Sequence, residues 1–203
     1  MSPIHRIRVA IAIVFVTMSV SACQQTGARA SSAAAERMHP EYDNATGQLK
    51  RLQWDSKGDG KIDTWGYMDG ARVVRVEVDE DGDGKVDHWE YHRAPAAGER
   101  GGPAGPDKTI ERIERSTRRD GKVSRWEYFD DNGSLARLEE DTDGDGKVDK
   151  WETYKDGALA MMALDTQGHG KPDRRLIYLP NGTLDRIETD PTGSGQFSPL
   201  PKQ

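Results

Sequence analysis

Oxygen-bearing side chains recur at one fixed spacing in two segments of the chain, residues 79–90 and 141–152. Counted from the first Asp, each segment has carboxylates at positions 1, 3, 5, 9 and 12, a glycine at position 6 and a lysine at position 7. A hard cation such as Ca²⁺ binds about six to eight oxygen atoms, and the position-7 carbonyl and a bidentate Glu at position 12 can supply some of them. We therefore predict two calcium sites, in preference to acidic, glycine-rich turns without metal. The predicted ligands are Asp79, Asp81, Asp83, Lys85, Asp87 and Glu90 in the first segment and Asp141, Asp143, Asp145, Lys147, Asp149 and Glu152 in the second.

This spacing matches the loop of an EF-hand in full, but the surrounding residues do not. Residues 74–78, before the first loop, alternate apolar and charged side chains, which is the period of a strand rather than a helix. The loops therefore resemble the strand-flanked DxDxDG calcium sites of integrin-type propeller blades and thrombospondin-type repeats. In an EF-hand the exiting helix aims position 12 at the ion, so the direction of Glu90 and Glu152 is left open. Asp87 and Asp149, inside the loops, are the safer ligands.

The acidic loop is one part of a longer repeat. The residue after the loop glycine recurs at intervals of 24, 37, 25, 24 and 25 residues, so one unit appears about six times with one insertion. These residues are Lys61, Lys85, Lys122, Lys147, Lys171 and Gln196. An apolar residue stands three residues before each loop, a tryptophan follows each of the first four loops, and Asn-Gly or Asp-Gly pairs close four of the units. A period of this length indicates a repeat architecture.

Each unit is predicted to form two antiparallel strands, with the acidic loop at one end and a hairpin turn at the other. About eleven strands in succession give an all-β antiparallel meander of about six β-hairpin repeats, with the calcium loops at one edge. We expect apolar side chains mainly on one face, and Arg and Glu on the other, where opposite charges on neighbouring strands pair. With 34% hydrophobic residues the core must be thin. To bury its apolar face the sheet must curl, close into a barrel-like form or dimerise, and the sequence leaves these alternatives open.

Four further loops of the repeat are incomplete. They begin at Asp55, Ser116, Asp165 and Asp190. The loop at 55–66 has Lys57 at position 3 and is a weak site at best, and Arg118 at the same position of the next incomplete loop would repel Ca²⁺. The loop at 165–176 has His169 at position 5, which we interpret as a drifted turn rather than a site for a softer metal. Whether the loops at 55–66 and 165–176 bind metal is left open.

The first residues of the chain indicate export. Arg6 and Arg8 precede an apolar run at 9–20, which has the parts of a secretory signal and is too short to span a bilayer permanently. The following Val-Ser-Ala-Cys resembles the bacterial lipobox, which implies a lipid anchor such as palmitate on Cys23, the only cysteine of the chain. In that family, Gln24 at the second mature position implies sorting to the outer membrane. The resemblance therefore implies the cell envelope and leaves the periplasmic or surface face open.

These features divide the chain into four parts. We predict a lipoprotein signal peptide at 1–22, a lipidated cysteine and flexible tether at 23–40, a β-hairpin repeat domain at 41–197 and a tail at 198–203. Within the repeat domain, residues 93–109 are rich in Pro and Gly and are predicted to form a mobile insertion. Removing residues 1–22, which hold two arginines, lowers the 29 basic residues to 27 against 35 acidic ones, a net charge of −8. An acidic chain without a basic stripe argues against a nucleic-acid partner.

No combination of residues in the sequence indicates catalysis. A nucleophile elbow, an HExxH zinc motif and a phosphate-binding glycine loop are all missing from the sequence, so we expect no enzyme. A hydrolase would need a pocket that brings His88 or His92 together with carboxylates outside the loops. The recurring Trp and Tyr residues can stack on sugar rings, although aromatic residues at strand spacing more often belong to a core.

Taken together, the lipobox and the DxDGDGKxD repeats resemble those of bacterial surface lipoproteins. The resemblance implies Ca²⁺ binding and attachment to the membrane through Cys23. We predict a calcium-binding, lipid-anchored envelope protein with a structural or adhesion role, whose partner is an envelope protein or glycan. The alternative is a glycan- or peptidoglycan-binding lipoprotein that uses exposed aromatic rows.

Overall fold

One antiparallel sheet contains every strand that the structure describes. The computed structural model describes residues 35–94 and 109–201, and within them thirteen strands pair in chain order, each with the strand before and after it. The strands are β1 (Met38–Tyr42), β2 (Leu49–Trp54), β3 (Thr64–Asp69), β4 (Arg72–Val78), β5 (His88–His92), β6 (Ile110–Arg115), β7 (Arg125–Phe129), β8 (Leu135–Glu140), β9 (Lys150–Lys155), β10 (Ala158–Leu164), β11 (Arg174–Tyr178), β12 (Leu184–Thr189) and β13 (Ser198–Pro199). The predicted all-β antiparallel meander is confirmed.

Several predicted features lie outside the described residues. These are the signal peptide at 1–22, Cys23, the first part of the tether and most of the insertion at 93–109. The outermost strands, β1 and β13, extend the sheet slightly beyond the predicted range 41–197. In the described part of the chain, no helix is long and apolar enough to cross a membrane.

The connections between strands alternate between the two ends of the strands. Loops such as 79–87 and 141–149 occupy one end, and short turns occupy the other. At the Asp156–Gly157 turn both residues have positive φ, 52° and 77°, as in the type I′ turns that match the twist of paired strands. The acidic loops therefore all lie at the same end of the strands, in a row that we call the loop edge, as predicted.

The strand register places charged and apolar residues on the same face. Val76 lies opposite Glu90, which in turn lies opposite Ile113 on the next strand. On the other face, Trp89 lies opposite Glu77 and Glu114. The prediction of an apolar face and a charged face was therefore wrong. Each strand follows its own alternation, but paired strands bring an aliphatic residue against a Glu on one face and a Trp against a Glu on the other.

The sheet is a single layer. In the described residues each strand contacts only its neighbours in the sheet, and no second layer packs on either face. The sheet is not closed, because β1 and β13 are separate edges. Among the described residues, the buried apolar ones are Val76, Ile113, Leu138 and Ala163. The closed, barrel-like alternative is therefore not adopted, and the core is as thin as the composition predicts.

Repeated triads of Tyr, Arg and Glu hold the tryptophan-bearing face together. The Arg75 guanidinium lies 4.1 Å from the centre of the Tyr67 ring, and the Tyr67 hydroxyl donates to Glu77 at 2.7 Å. Arg75 also contacts Glu77 at 3.2 Å, which closes the triad. The same arrangement recurs at Tyr91, Arg112 and Glu114 and at Tyr128, Arg137 and Glu139. A cation–π contact at an exposed site contributes about 0.5–1 kcal/mol, so these triads partly replace a missing second layer.

Candidate metal centres

A chain of backbone hydrogen bonds joins the acidic loops to one another. The Asp79 N–H donates to the carbonyl of Asp63, the last residue of the preceding loop, at 2.8 Å. Ser116 donates in the same way to Asp87, and Asp141 to Ser124, each at 2.8 Å. The first residue of each loop is thus bonded to the last residue of the loop before it. The loops form a continuous edge rather than separate turns.

The position-1 carboxylate folds its own loop. Asp79 is only 4% exposed, and its two oxygens accept the N–H groups of Gly82 at 2.7 Å and Gly84 at 2.8 Å. Both glycines have positive φ, 82° and 90°, a conformation that non-glycine residues rarely adopt. Asp141 makes the equivalent bonds in the second complete loop, at 2.6 and 3.1 Å. The Asp-x-x-Gly-x-Gly spacing therefore has a structural role that does not depend on metal.

A carboxylate cluster lies in the loop at 79–87. Carboxylate oxygens of Asp79, Asp81 and Asp87 all lie within 4.8 Å of one another. Asp87 is 2% exposed, and within the described part of the chain neither of its oxygens has a hydrogen-bond partner. Burial raises the pKa of Asp87, and the charges of Asp81, Asp83 and Asp79 raise it further. An unpaired buried carboxylate is costly, and protonation, a charged partner or a bound cation compensates that cost.

Asp83, another predicted ligand of this loop, contacts the N–H and the ammonium group of Lys85, whose predicted ligand atom is its carbonyl oxygen. The Lys85 N–H donates to Asp83 at 2.8 Å, and its ammonium group contacts the other oxygen at 3.1 Å. These contacts lower the pKa of Asp83. Asp145 and Lys147 repeat the arrangement in the second loop. The structure therefore does not bring Asp83 or Asp145 into a carboxylate cluster.

The second complete loop contains the same cluster with different surroundings. Oxygens of Asp141, Asp143 and Asp149 lie within 4.8 Å of one another. Here Asp149 accepts hydrogen bonds from the N–H and the hydroxyl of Thr142, the latter at 2.8 Å. A guanidinium nitrogen of Arg118 lies 3.0 Å from the Asp141 carboxylate. Two loops with nearly the same sequence therefore differ in how far their carboxylates are satisfied.

The electrostatics of Asp141 reflect these partners. Burial by itself would raise its pKa, but the N–H groups of Gly144 and Gly146, together with Arg118, hold the pKa below its usual value. The ionised form of Asp141 is therefore stable without a metal. Asp87, in the other loop, has its pKa shifted in the opposite direction.

The position-12 residues point away from the loops. Glu90 lies between two histidines, with its Oε1 2.9 Å from His92 Nε2 and its Oε2 3.7 Å from His88 Nε2. Although burial opposes it, the two histidines lower the pKa of Glu90 to about 2. Glu152 accepts a hydrogen bond from Tyr154 at 2.5 Å and contacts Lys150 at 3.0 Å. Neither Glu joins a carboxylate cluster, because each lies on the strand after its loop.

The incomplete loops keep their shape through other bonds. In the loop that begins at Ser116, the Ser116 hydroxyl accepts the N–H groups of Asp120 and Gly121 at 3.1 and 3.2 Å, and so replaces the position-1 carboxylate. Asp165, in the loop that contains His169, accepts the Gly170 N–H at 2.5 Å. In the described part of the chain, the acidic clusters that could hold a metal are those at 79–87 and 141–149.

Two basic residues that the sequence singled out within their own loops also contact the loop that follows, which the sequence did not predict. Lys57 and Arg118 each stand at position 3 of an incomplete loop, and each extends into the complete loop that follows. The Lys57 ammonium group donates to the Asp79 carbonyl at 3.1 Å, and Arg118 donates to the Asp141 carbonyl at 3.1 Å. The signal was present in the sequence, because a basic position 3 precedes both complete loops. Its meaning depends on the stacking of the loops.

Comparisons with known proteins leave the family open. No family model matches the sequence, and no curated protein matches it. A solved structure described as the crystal structure of TarM matches over 61% of this chain, with 12% sequence identity and a TM-score of 0.23. The matched region covers 20% of the TarM chain, so this chain spans a small part of its length. A similarity of this size carries no argument about function.

Proposed function

We propose that the protein binds Ca²⁺ at the loop 79–87 and is a calcium-stabilised structural or adhesion module of the cell envelope. The observation that carries the proposal is Asp87, which is buried beside Asp79 and Asp81 and whose two carboxylate oxygens have no hydrogen-bond partner among the described residues. Three clustered carboxylates are a hard-oxygen donor set of the kind that Ca²⁺ prefers. Water and loop carbonyls complete a shell of about six to eight oxygens.

The ion would stabilise the fold by removing a repulsion. Without a cation, the negative charges of Asp79, Asp81 and Asp87 face one another across less than 4.8 Å. A divalent ion that binds only the folded chain adds about 2.7 kcal/mol when present at about 100 times its dissociation constant. Extracellular modules work with dissociation constants of ~10⁻⁴–10⁻³ M, so even a weak site would be filled outside the cell.

The position of the site explains why a single-layer sheet would need it. The loop 79–87 joins β4 to β5, and its last residue is bonded through its carbonyl to Ser116 at the start of the next loop. An ion held by Asp79 and Asp87 would fix both ends of one loop and, through this bond, the position of the next. Calcium would thus stiffen the sheet along its loop edge.

Attachment at Cys23 is the second part of the proposal. It is supported by the apolar run at 9–20 and by the Val-Ser-Ala-Cys ending that resembles a lipobox. A lipid on Cys23 would hold the sheet at the membrane through the predicted tether at 23–40. This arrangement suits an envelope protein whose partner is another envelope protein or a glycan.

Calorimetric titration of the purified protein with CaCl₂, together with thermal unfolding, tests the calcium site. We expect Asp87→Asn to abolish the binding heat at the loop 79–87 and to reduce the stabilisation by millimolar calcium. Asp156→Asn removes the same charge at the opposite edge of the sheet, at a left-handed residue that Asn tolerates, and is the matched control. Equal calcium responses in the wild type and Asp87→Asn would contradict the proposal.

A second candidate function is supported by the tryptophan row. Trp65, Trp89, Trp126 and Trp151 occur on alternate strands, half-buried, on a face that no other described element covers. Strand spacing places consecutive rings about 9.5 Å apart, with a Glu between them. Such a row could stack on successive sugar rings of a polysaccharide. Loss of binding to purified peptidoglycan in Trp126→Ala, with an unchanged melting temperature, would favour this function over a purely structural one.

A further inference from the structure

We infer that Arg118 acts as a tethered cation that takes the place of part of the metal in the loop 141–149, so that the two complete loops differ in calcium affinity. The inference rests on the calcium site proposed above and concerns its second copy. By sequence the two loops share carboxylates at positions 1, 3, 5, 9 and 12. The neighbouring residues that contact those carboxylates are different.

The first difference lies in the loop that precedes each site. Lys57 and Arg118 both donate to the position-1 carbonyl of the next loop, at 3.1 Å in each case. Arg118 uses its second guanidinium nitrogen to contact the Asp141 carboxylate at 3.0 Å. The planar fork of Arg can bond two acceptors at once, whereas the Lys ammonium group is a single point charge. Arg118 therefore neutralises a ligand of its neighbouring site.

The second difference lies at position 2 of each loop. Thr142 donates its N–H and its hydroxyl to Asp149, the position-9 carboxylate. The first loop has Glu80 at this position, whose side chain offers no donor, and Asp87 remains unpaired there. The carboxylates at positions 1 and 9 of the loop 141–149 are thus both satisfied by protein groups. The loop 79–87 leaves the position-9 carboxylate for an external cation.

These differences order the two sites. A calcium ion that enters the loop 141–149 must displace the guanidinium from Asp141 or bind beside a positive charge a few ångströms away. Asp141 is 2% exposed, whereas the Arg118 side chain is 38% exposed, so water screens part of that repulsion. The protein then binds one Ca²⁺ at low concentration and a second only at higher concentration. The loop 79–87 has its own guanidinium neighbour, but Arg119 lies 3.8 Å from Asp81, whereas Arg118 lies 3.0 Å from Asp141. Arg118, with the closer contact, is the residue that separates the two affinities.

The test is calorimetric titration with CaCl₂ of the wild type, Arg118→Gln and Lys57→Gln. We expect one tight site in the wild type, and a gain of about tenfold or more in affinity at the loop 141–149 in Arg118→Gln. Lys57→Gln, the same kind of change beside the other loop, should alter the affinity of the loop 79–87 much less. Adding Asp87→Asn to Arg118→Gln leaves one site and assigns the gained binding to the loop 141–149.

The outcomes separate this inference from the proposed function. Two equal sites in the wild type, or unchanged binding in Arg118→Gln, would overturn the role of Arg118 while leaving the loop 79–87 as a calcium site. The absence of calcium binding in the wild type and in Arg118→Gln would overturn both. A readout without metal adds to the test, because Arg118→Gln should lower the melting temperature in EDTA by leaving the Asp141 carboxylate without its cation.

Discussion

The Ser116 N–H donates to the Asp87 carbonyl at 2.8 Å, so the last carboxylate residue of one loop is bonded to the first residue of the next. Asp87 therefore has one role through its main chain and another through its side chain. Its main chain continues the hydrogen-bonded edge, and its side chain is the unpaired carboxylate of the candidate site. The candidate site therefore lies directly beside the start of the neighbouring loop.

In the absence of metal, Asp87→Asn should stabilise the protein. The substitution removes a buried, unpaired charge from a cluster that repels it, and we expect a rise in melting temperature of ~2–4 °C, which corresponds to about 1 kcal/mol in a domain of this size. Asp149→Asn should do the opposite, because its carboxylate accepts several hydrogen bonds in the loop 141–149. The comparison is made by thermal unfolding in EDTA. A loss of stability in both variants would show that Asp87 has an unrecognised partner.

The calcium affinity of the loop 79–87 should depend on Asp81 far more than on Glu90. Asp81 belongs to the carboxylate cluster, whereas Glu90 is held on its strand by His88 and His92. We expect Asp81→Asn to weaken binding by about tenfold or more and Glu90→Gln by no more than about twofold. Calorimetry measures both. A large loss in Glu90→Gln would mean that the chain rearranges toward an EF-hand geometry when the ion binds.

Glu90 should contribute a pH-dependent part of the stability. Its pKa falls from the ordinary value of 4.5 to about 2 in the folded protein. A lowered carboxyl pKa stabilises the fold above the unfolded-state value, and this contribution is lost as the pH falls from about 4.5 through about 2. The urea midpoint of the wild type should therefore drop more steeply over this range than that of Glu90→Gln. Parallel curves for the two proteins would contradict the role of the histidine pair.

Leu138→Ala should be the most damaging of the simple truncations. Leu138 is 1% exposed and lies between Glu127 and Glu152 of the adjacent strands. Truncating a buried Leu costs about 2–5 kcal/mol, and a sheet with so few buried apolar residues has little to offset it. Leu184→Ala, at a residue that is 42% exposed, is the control and should change stability by less than about 0.5 kcal/mol. Chemical denaturation measures the two differences.

Cys23→Ser should release the protein from the membrane fraction of its native host. The chain has one cysteine, so the substitution removes every site for thioether-linked lipid. Fractionation and intact-mass measurement of the wild type and the variant check this. An unmodified Cys23 in the wild-type protein would contradict the proposed anchor.

Local features of this fold could be predicted from the sequence because they depend on local chemistry. The Asp156–Gly157 pair between two segments of strand character indicates a tight hairpin turn, and the spacing of Asp79, Gly82 and Gly84 fixes the conformation of the loop. The distribution of residues between the two faces could not be predicted in this way. It depends on the register between strands, which sets Val76 against Glu90.

The difference between the two complete loops was also beyond the sequence pattern. Asp79 and Asp141 occupy equivalent positions in their loops. Only the stacking of the loops shows that Lys57 contacts the carbonyl of Asp79, whereas Arg118 contacts the carboxylate of Asp141. A pattern within one loop carries no information about a side chain that arrives from another. For the same reason, the orientation of Glu90 toward its histidines follows from the strand and not from the loop motif.

Because the strands pair in chain order, the width of the sheet across its strands grows in proportion to the number of strands. Because each described strand contacts only its two neighbours, thirteen strands at about 4.8 Å spacing give a span of about 58 Å, and each further hairpin adds about 9.6 Å without disturbing the rest. A globular protein that gains a repeat must repack its core, whereas this sheet would only become longer. Duplication of a single unit would therefore change how far the protein reaches while leaving each loop as it was.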